Sequence, residues 1–189
     1  MIKKQAAGFK ALAKIKRLYK KAFPLAERKP FGIIRRMQKR GKADIWYYEN
    51  EGAFVGFATT INGEDAVLVD YLAVDRDLRG KGFGKGMLFD LRDTYGKERL
   101  FLEIESPDTE CNNKEERVRR KGFYLAAGMS EVGVTANIFG TDMELLSFGY
   151  TTDFEGYREF YRKNYSEFAA LHIAPPTGKA APVKKRKNL

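Results

Sequence analysis

Apolar residues recur every three or four positions in several stretches of the chain, which is the spacing of amphipathic helices. Prolines and glycines mark their ends: Pro24 follows the first stretch, and Pro30 and Gly41 bracket the second. The last stretch is rich in aromatic residues, and we expect its aromatic side to dock on the rest of the protein. The predicted helices span residues 9–23, 31–40, 86–95, 115–127 and 154–168.

Runs of β-branched and aromatic residues, bounded by turn residues, predict strands. Residues 49–52 and 140–142 are predicted hairpin turns. The stretch 66–105 has the order strand, helix, strand, and such a unit pairs its two strands in parallel. The predicted strands span residues 2–5, 45–48, 54–60, 66–74, 100–105, 132–139 and 143–148.

This order of elements predicts the α+β class. We expect a mixed, mostly antiparallel central sheet with one parallel β-α-β unit, flanked by helices. The main domain is predicted at residues 1–150, and the aromatic helix, at 151–173, is predicted to pack on or beside it. Residues 174–189 are rich in proline and lysine and are predicted to be a disordered basic tail.

Charge is unevenly distributed along the 189 residues, whose formal net charge is +10. Residues 1–42 hold fifteen Lys or Arg and one acid, and residues 179–189 hold five Lys or Arg and no acid. The body between them therefore carries a net charge near −9, unlike a uniformly basic nucleic-acid-binding protein. We expect solvated basic faces at both ends, with attraction of a polyanion as the alternative.

The sequence predicts no disulfide, no cysteine metal cluster and no membrane-spanning segment. The single cysteine permits neither an intrachain disulfide nor a cysteine metal cluster. No apolar run is long enough to cross a bilayer, and residues 1–21 lack the apolar stretch of a secretory signal. We therefore expect a cytoplasmic protein.

The most informative segment alternates glycines with basic residues just before a predicted helix, in the run Arg79-Gly80-Lys81-Gly82-Phe83-Gly84. Glycines let backbone N–H groups approach a ligand, and a helix N-terminus attracts anions. We therefore predict a phosphate or pyrophosphate site. The segment is not a P-loop, because Gly86 follows Lys85 where Ser or Thr is required, and its glycine spacing differs from the dinucleotide fingerprint.

This run resembles the Arg/Gln-x-x-Gly-x-Gly/Ala motif of the GNAT superfamily of N-acetyltransferases. The preceding Leu72-Ala73-Val74-Asp75 resembles that family's strand ending. Phe123-Tyr124, followed by Gly128-Met129, resembles its Phe-Tyr-x-x-x-Gly-Phe signature. The resemblance covers roughly residues 9–148.

The resemblance implies binding of acetyl-CoA. The strand backbone would hold the pantetheine arm, and the loop amides would hold the pyrophosphate. Arg117 stands where many members of the family have an asparagine that contacts the arm, and we expect it either to meet a CoA phosphate or to be solvated. The implied cofactor-binding residues are Leu72, Ala73, Val74, Arg79, Gly80, Lys81, Gly82, Phe83, Gly84, Lys85 and Arg117.

Transfer to an amine requires a base and an acid, because an ammonium must lose a proton before it attacks. The resemblance implies Tyr124 as the general acid for the leaving thiolate. Asp70 and Glu103 are the candidate bases. We favour Asp70, because a carboxylate in an apolar strand is costly unless it is partnered or functional; strand alternation puts it on the face of Leu68 and Leu72. A structural salt bridge is the alternative for both carboxylates.

Together these features predict an N-acetyltransferase that moves an acetyl group from acetyl-CoA directly to a primary amine in a ternary complex. The alternative is a non-catalytic acyl-CoA sensor on the same fold, which would not need Tyr124. A nucleic-acid-associated protein is a third, less favoured interpretation. The acidic body would suit a cationic acceptor, and the terminal elements are candidates for a homodimer contact.

Overall fold

The computed structural model describes residues 1–6, 8–109 and 111–178. The chain divides into two compact units, Met1–Phe101 and Leu102–Leu189. None of the helices in the described residues has the length and apolar character that crossing a membrane requires.

The first unit contains most of the predicted elements close to their predicted positions. They are β1 (Ile2–Gln5), α1 (Phe9–Ala22), α2 (Phe31–Lys39), β2 (Ala43–Asn50), β3 (Ala53–Asn62), β4 (Val67–Val74), α3 (Phe83–Tyr95) and the start of β5 (Leu100–Glu105).

The strands of the first unit follow one another in the order β1-β2-β3-β4, each antiparallel to its neighbour. The N–H of Val67, at the start of β4, donates to the carbonyl of Arg99, just before β5, at 2.8 Å. The two strands therefore begin side by side, with α3 connecting the end of β4 to the start of β5. This is the predicted parallel β-α-β unit, and the α+β class with mostly antiparallel pairing is confirmed.

Helix α1 covers one face of this sheet. Its buried residues Ile15, Leu18 and Tyr19 pack in one apolar cluster with Phe57 of β3 and Tyr71 of β4. The rings of Tyr19 and Tyr71 meet edge to face, with centroids 4.8 Å apart. Burial of each large apolar side chain contributes about 1.5–3 kcal/mol, so this cluster fixes α1 on the sheet.

Helix α3 covers the opposite face and is tied to β2 by hydrogen bonds. The Tyr48 hydroxyl donates to Asp90 at 2.9 Å, and the Trp46 indole donates to the Tyr95 hydroxyl at 2.8 Å. Between them, Tyr47 belongs to the cluster on the α1 side. β2 therefore alternates between the two faces, as a strand that is covered on both sides does.

In its described residues, the second unit contains the end of β5, three helices and three further strands, in the sheet order β5-β7-β6-β8. The predicted hairpin is present, since β6 and β7 pair antiparallel. The elements after β5 are α4 (Lys114–Ala126), β6 (Ser130–Ile138), β7 (Thr141–Ser147), α5 (Phe154–Asn164), α6 (Glu167–Leu171) and β8 (Ile173–Ala174).

The single helix predicted over 154–168 is wrong. α5 ends at Asn164, and α6 begins at Glu167 after Ser166. Ser166 has an extended backbone, and its hydroxyl accepts the N–H of Ala169 at 3.1 Å. This is a serine N-cap, a helix-start signal that the aromatic pattern concealed.

The disorder predicted from residue 174 is wrong as far as residue 178. β8 pairs with β6, and the N–H groups of Thr177 and Gly178 donate to the carboxylate of Asp142. The rest of the predicted tail, 179–189, lies outside the described residues. The division at residues 150 and 173 stays a prediction.

Candidate functional site

The glycine-rich loop lies on the surface of the first unit, just before α3. Gly80 and Gly82 have φ angles of 76° and 81°, a left-handed backbone that other residues adopt only with strain. A Cβ built on either glycine would meet no other atom within 4 Å. The backbone of both glycines is therefore open to an approaching ligand.

The loop ends in the N-terminus of α3. Gly82 is the N-cap, and the first helical hydrogen bond joins the Gly86 N–H to the Gly82 carbonyl at 3.0 Å. The predicted helix start at residue 86 is therefore three residues late. Phe83 and Gly84 come before Gly86 in the first turn of α3, so their N–H groups have no partner within the helix. The positive end of the helix dipole is concentrated at this turn.

The three cations of the predicted phosphate site differ in their surroundings. Lys81 is exposed beside the two glycines. The Arg79 Nε donates to the Val74 carbonyl at 3.4 Å, which ties the loop to the end of β4. The Lys85 Nζ lies 5.3 Å from the centroid of the Phe89 ring. Of the three, Lys81 is thus the most open to a ligand.

The predicted arm-binding segment, Leu72, Ala73 and Val74, pairs with β3 along one edge. Gly56 of β3 faces it: a Cβ there would overlap the Ala73 carbonyl oxygen and lie 3.2 Å from the Met87 Sδ of α3. Only glycine lets the two strands and the helix approach so closely. Gly56 was not among the predicted site residues, although an isolated glycine inside a strand is the sequence signal for such a contact.

β4 contains a bulge at Asp70. Tyr71 pairs with Thr59 and Val69 pairs with Thr60, which leaves Asp70 as the additional residue. A bulge of this kind bends the strand and redirects its side chains.

The bulge overturns the predicted common face of Asp70 and Leu72. Leu72 is in register with Trp46 across β3, and Trp46 contacts α3. The Asp70 carboxylate instead contacts the segment between α1 and α2, where its Oδ1 lies 2.5 Å from the Lys29 Nζ. One inserted residue interrupts the two-residue alternation, so the two side chains lie on opposite faces.

Two tyrosines hold the Lys29 segment against β4. The Tyr71 hydroxyl donates to the Glu27 carbonyl at 2.8 Å and accepts the Lys29 N–H at 3.0 Å. The Tyr19 hydroxyl donates to the Lys29 carbonyl at 3.0 Å. Burial raises the pKa of Tyr71, and the nearby charge of Asp70 raises it further, so this hydroxyl stays protonated at neutral pH. Neither Lys29 nor Tyr71 was predicted, because no local pattern marks a contact between a linker and a strand.

In the second unit, Glu103 of β5 anchors α5. Its carboxylate accepts the Tyr157 hydroxyl at 2.7 Å and the Tyr161 hydroxyl at 2.8 Å. Burial raises the pKa of Tyr157 well above its ordinary value, and the charge of Glu103 adds to that shift. The two tyrosines were predicted only to pack; the structure gives them hydrogen bonds to the second candidate base.

Tyr124 lies half-buried on α4, next to Phe123 at a ring-centroid distance of 5.1 Å. Across residues 1–6, 8–109 and 111–178, no group hydrogen-bonds its hydroxyl. Burial raises the pKa of Tyr124, and the charge of Arg120 opposes the shift without cancelling it. The hydroxyl is therefore protonated at neutral pH, as a general acid must be.

Arg117 does not have either of its predicted surroundings. The side chain is buried, with a relative exposure of 6%. Its guanidinium donates to Asn113, to the Ser106 carbonyl and to Glu105, each at 3.0 Å. Because all three nitrogens are engaged within the second unit, the expectation of a solvated side chain or a CoA contact is replaced by a structural role.

The part of the chain that the structure describes contains no group of three or more His, Cys, Asp or Glu residues that could hold a metal ion.

Comparison with known proteins identifies the domain that contains the loop. Residues 41–128 match the family model of the acetyltransferase (GNAT) domain. This range includes β4, the loop, α3, Glu103 and Tyr124. Among curated proteins, none matches the sequence.

Solved structures share the fold at low sequence identity. A Bacteroides thetaiotaomicron protein described as a GNAT-family acetyltransferase is 21% identical with a TM-score of 0.72, over 86% of this chain and 97% of that one. A ribosomal-protein alanine N-acetyltransferase from Escherichia coli is 18% identical with a TM-score of 0.58, over 80% and 94%. A Bacillus subtilis acetyltransferase, in complex with CoA, is 13% identical with a TM-score of 0.57, over 77% and 95%.

The family model covers the loop that carries the resemblance seen in the sequence, and the fold agrees with it. Residues 41–128 are therefore similar to the GNAT acetyltransferase domain, and the chain shares the fold of the solved acetyltransferases.

Proposed function

We propose that this chain is an N-acetyltransferase that moves an acetyl group from acetyl-CoA directly to a primary amine in a ternary complex. The observation that carries the proposal is the open backbone of Gly80 and Gly82 at the N-terminus of α3, inside the family domain. Outward N–H groups at a helix start suit the diphosphate of CoA. The Bacillus subtilis structure of the same fold holds CoA, which supports this choice.

In this proposal the backbone N–H groups of residues 79–84 bind the pyrophosphate, and Lys81 and Lys85 add positive charge. The residues present fit that ligand, because the glycine backbone is open and the first turn of α3 contains no acid. The backbone of Leu72, Ala73 and Val74 holds the pantetheine arm. When bound, acetyl-CoA supplies an acetyl group activated as a thioester.

Asp70 is the proposed general base. A lysine-like amine has a pKa of about 10.4, so it must lose a proton before it attacks. The Asp70 carboxylate already binds a primary ammonium, that of Lys29, and it stands two residues before Leu72. Glu103 instead accepts hydrogen bonds from two tyrosine hydroxyls. Of the two predicted carboxylates, Asp70 is therefore the better suited to meet an acceptor amine.

Tyr124 is the proposed general acid, which protonates the departing sulfur. Its raised pKa and the lack of a hydrogen-bond partner among the described residues support this role. A backbone N–H near Leu72 donates to the acetyl carbonyl oxygen, where negative charge develops during attack.

The acceptor is proposed to be a primary amine that carries positive charge, because residues 43–178 have a net charge near −9. Polyamines, aminoglycosides and lysine side chains meet this description. The Escherichia coli structure of this fold is, by its description, an enzyme for an alanine amino group of a ribosomal protein, so peptide amines belong in the same panel.

Calorimetry with CoA, followed by a thiol-release assay with the amine panel, tests the proposal. Gly82→Ala would put a Cβ into the ligand side of the loop, and we expect about tenfold or greater loss of CoA affinity from displaced hydrogen bonds to phosphate. Gly41→Ala is the matched control, since Gly41 has a φ of 71° and equally open surroundings at the end of α2. If the folded protein binds no CoA, or if both variants lose affinity equally, the loop is not the cofactor site.

Tyr124→Phe tests the catalytic half of the proposal. Loss of a general acid costs about tenfold or more in turnover, whereas CoA affinity should stay unchanged. Tyr150→Phe, the same change on the loop after β7, is the control. Tight CoA binding without turnover on any amine would contradict the enzyme and favour an acyl-CoA sensor.

A further inference from the structure

The linker between α1 and α2 brings a lysine of the chain itself to the proposed general base. The Lys29 Nζ lies 2.5 Å from Asp70 Oδ1, and the Asp70 side chain is only 5% exposed. A general-base mechanism requires the acceptor amine to come within hydrogen-bond reach of its base. Lys29 therefore presents to Asp70 the same group, a primary alkylammonium, that an acceptor would present.

The Lys29 backbone is held in place, and its side chain reaches Asp70. The Lys29 N–H and carbonyl are both bound by tyrosine hydroxyls, those of Tyr71 and Tyr19. The Nζ also lies 5.9 Å from the centroid of the Tyr71 ring, within cation–π range. The lysine side chain is 33% exposed. The amine is therefore held at Asp70 from a fixed backbone, as a tethered substrate would be.

The lysine is also close to the segment that is proposed to hold the cofactor arm. Asp70 and Leu72 are two residues apart on β4, and a strand rises about 3.3 Å per residue. The tethered amine thus contacts the middle of β4, two residues before the segment Leu72, Ala73 and Val74 that would bind pantetheine. Such tethering raises the effective concentration of an amine far above that of free acceptors.

We propose that Lys29 is a site of self-acetylation; this inference rests on the proposed function. Asp70 takes a proton from the Lys29 ammonium, the Nζ forms a bond to the acetyl carbonyl carbon, and the bond from that carbon to sulfur breaks. The ammonium loses two protons in total: one is balanced by the thiol that leaves as CoA, and the other goes to solvent. The products are Nζ-acetyl-Lys29, CoA and one proton.

Acetylation of Lys29 changes the surroundings of Asp70. The acetylated nitrogen is neutral and cannot pair with Asp70, so the carboxylate becomes available to an incoming amine. Before modification, Lys29 competes with every acceptor for Asp70. Progress curves of the unmodified enzyme should therefore show a lag that disappears after preincubation with acetyl-CoA.

Mass spectrometry of the full chain incubated with isotope-labelled acetyl-CoA tests the inference. Peptides from a protease that does not cleave at lysine report labelling at each site. Lys97 and Lys163, whose side chains are 66% and 67% exposed, measure acetylation by uncatalysed chemistry. We expect Lys29 to be labelled at least about tenfold faster than either, at a rate independent of protein concentration.

Asp70→Asn should slow Lys29 labelling by about tenfold or more and leave Lys97 and Lys163 unchanged. Equal labelling of the three lysines overturns self-acetylation; if the amine panel still releases thiol, the proposed function stands without it. Absence of CoA binding overturns both.

Two variants of Lys29 test whether this residue competes with the acceptor amine for Asp70. Neither test requires a measurement of acetylation. Lys29→Arg keeps a cation at Asp70 that cannot be acetylated, and we expect slow turnover that preincubation does not increase. Lys29→Gln is neutral like the acetylated residue, and we expect turnover without a lag. Equal turnover by the two variants overturns the competition between Lys29 and the acceptor.

Discussion

Gly56 of β3 lies against Ala73 of β4 so closely that a Cβ on Gly56 would overlap the Ala73 carbonyl oxygen. The same Cβ would lie 3.2 Å from the Sδ of Met87, a buried residue of α3. Ala73 belongs to the proposed pantetheine segment, and α3 begins at the proposed pyrophosphate loop. Gly56 thus sets the spacing between the two parts of the site.

Gly56→Ala should damage both stability and cofactor binding. A backbone carbonyl cannot move aside as a side-chain tip can, so we expect the free energy of unfolding to fall by about 1–3 kcal/mol and CoA affinity to fall with it. Gly32→Ala in α2 is the control: its Cβ would meet nothing within 4 Å, and alanine favours a helix by up to about 1 kcal/mol over glycine. Urea denaturation and CoA calorimetry measure both effects; equal stability of the two variants would contradict the packing argument.

Conservative substitutions distinguish Glu103 from Asp70 as the general base. Glu103→Gln keeps an acceptor oxygen for Tyr157 or Tyr161 but removes the charge, and we expect turnover to stay within about tenfold of the wild type. Asp70→Asn should lower turnover by about 10²–10⁴, the usual contribution of a general base. Steady-state thiol release at saturating amine measures both; the reverse order of effects would assign the base to Glu103.

Glu103→Ala tests the structural role of Glu103. It leaves two tyrosine hydroxyls of α5 without their acceptor, and each unsatisfied buried group costs about 1–3 kcal/mol. We therefore expect a larger loss of unfolding free energy for Glu103→Ala than for Glu103→Gln.

The parts of the fold that could be predicted from the sequence depend on local signals. The β5 bounds and the order of the first unit follow from runs of apolar residues between turn residues, and the loop follows from its glycines. The predicted start of α3 was late because two of the four residues in its first turn, Gly84 and Gly86, are glycines, which disfavour a helix. It is the left-handed N-cap at Gly82 that starts the helix.

The parts that could not be predicted depend on contacts between distant segments. No local pattern reveals the additional residue at Asp70, because a bulge is defined by the register of the partner strand. The contact of Lys29 with that bulge joins positions 41 residues apart. Arg117 was expected to meet a CoA phosphate or to be solvated, and only the folded chain brings Glu105 and the Ser106 carbonyl to it.

Arg117→Ala should destabilise the protein without weakening CoA binding. Breaking a buried ion pair typically costs about 3–5 kcal/mol, and we expect the lower end because Arg120 remains 3.5 Å from Glu105. Arg119→Ala, an exposed neighbour on α4, should change stability by no more than about 0.5 kcal/mol. Calorimetry on folded Arg117→Ala should give the wild-type CoA affinity; a tenfold loss there would place Arg117 at the cofactor instead.

Asp142 makes the C-terminal segment sensitive to acid. Burial alone would raise its pKa, but hydrogen bonds from Asn137, Thr177 and Gly178 together lower it. A carboxyl group whose pKa is lower in the folded state stabilises the fold above its unfolded pKa, about 3.9. That contribution is lost as the pH falls through the lowered folded value. The attachment of residues 177 and 178 should therefore weaken only in strong acid.

Asp142→Asn should remove this contribution at every pH. Hydrogen bonds to a charged group are worth about 1.5–3 kcal/mol, so at neutral pH we expect a loss of that size in unfolding free energy, with a smaller difference from the wild type near pH 2. Asp65→Asn, which changes an exposed carboxylate in the turn before β4, is the control and should have little effect at either pH. Carboxypeptidase should also trim the Asp142→Asn variant past Gly178 faster at neutral pH. If the stability gap stays constant down to strong acid, the Asp142 carboxylate is not what holds the segment, because a neutral wild-type side chain would then be as effective as the charged one.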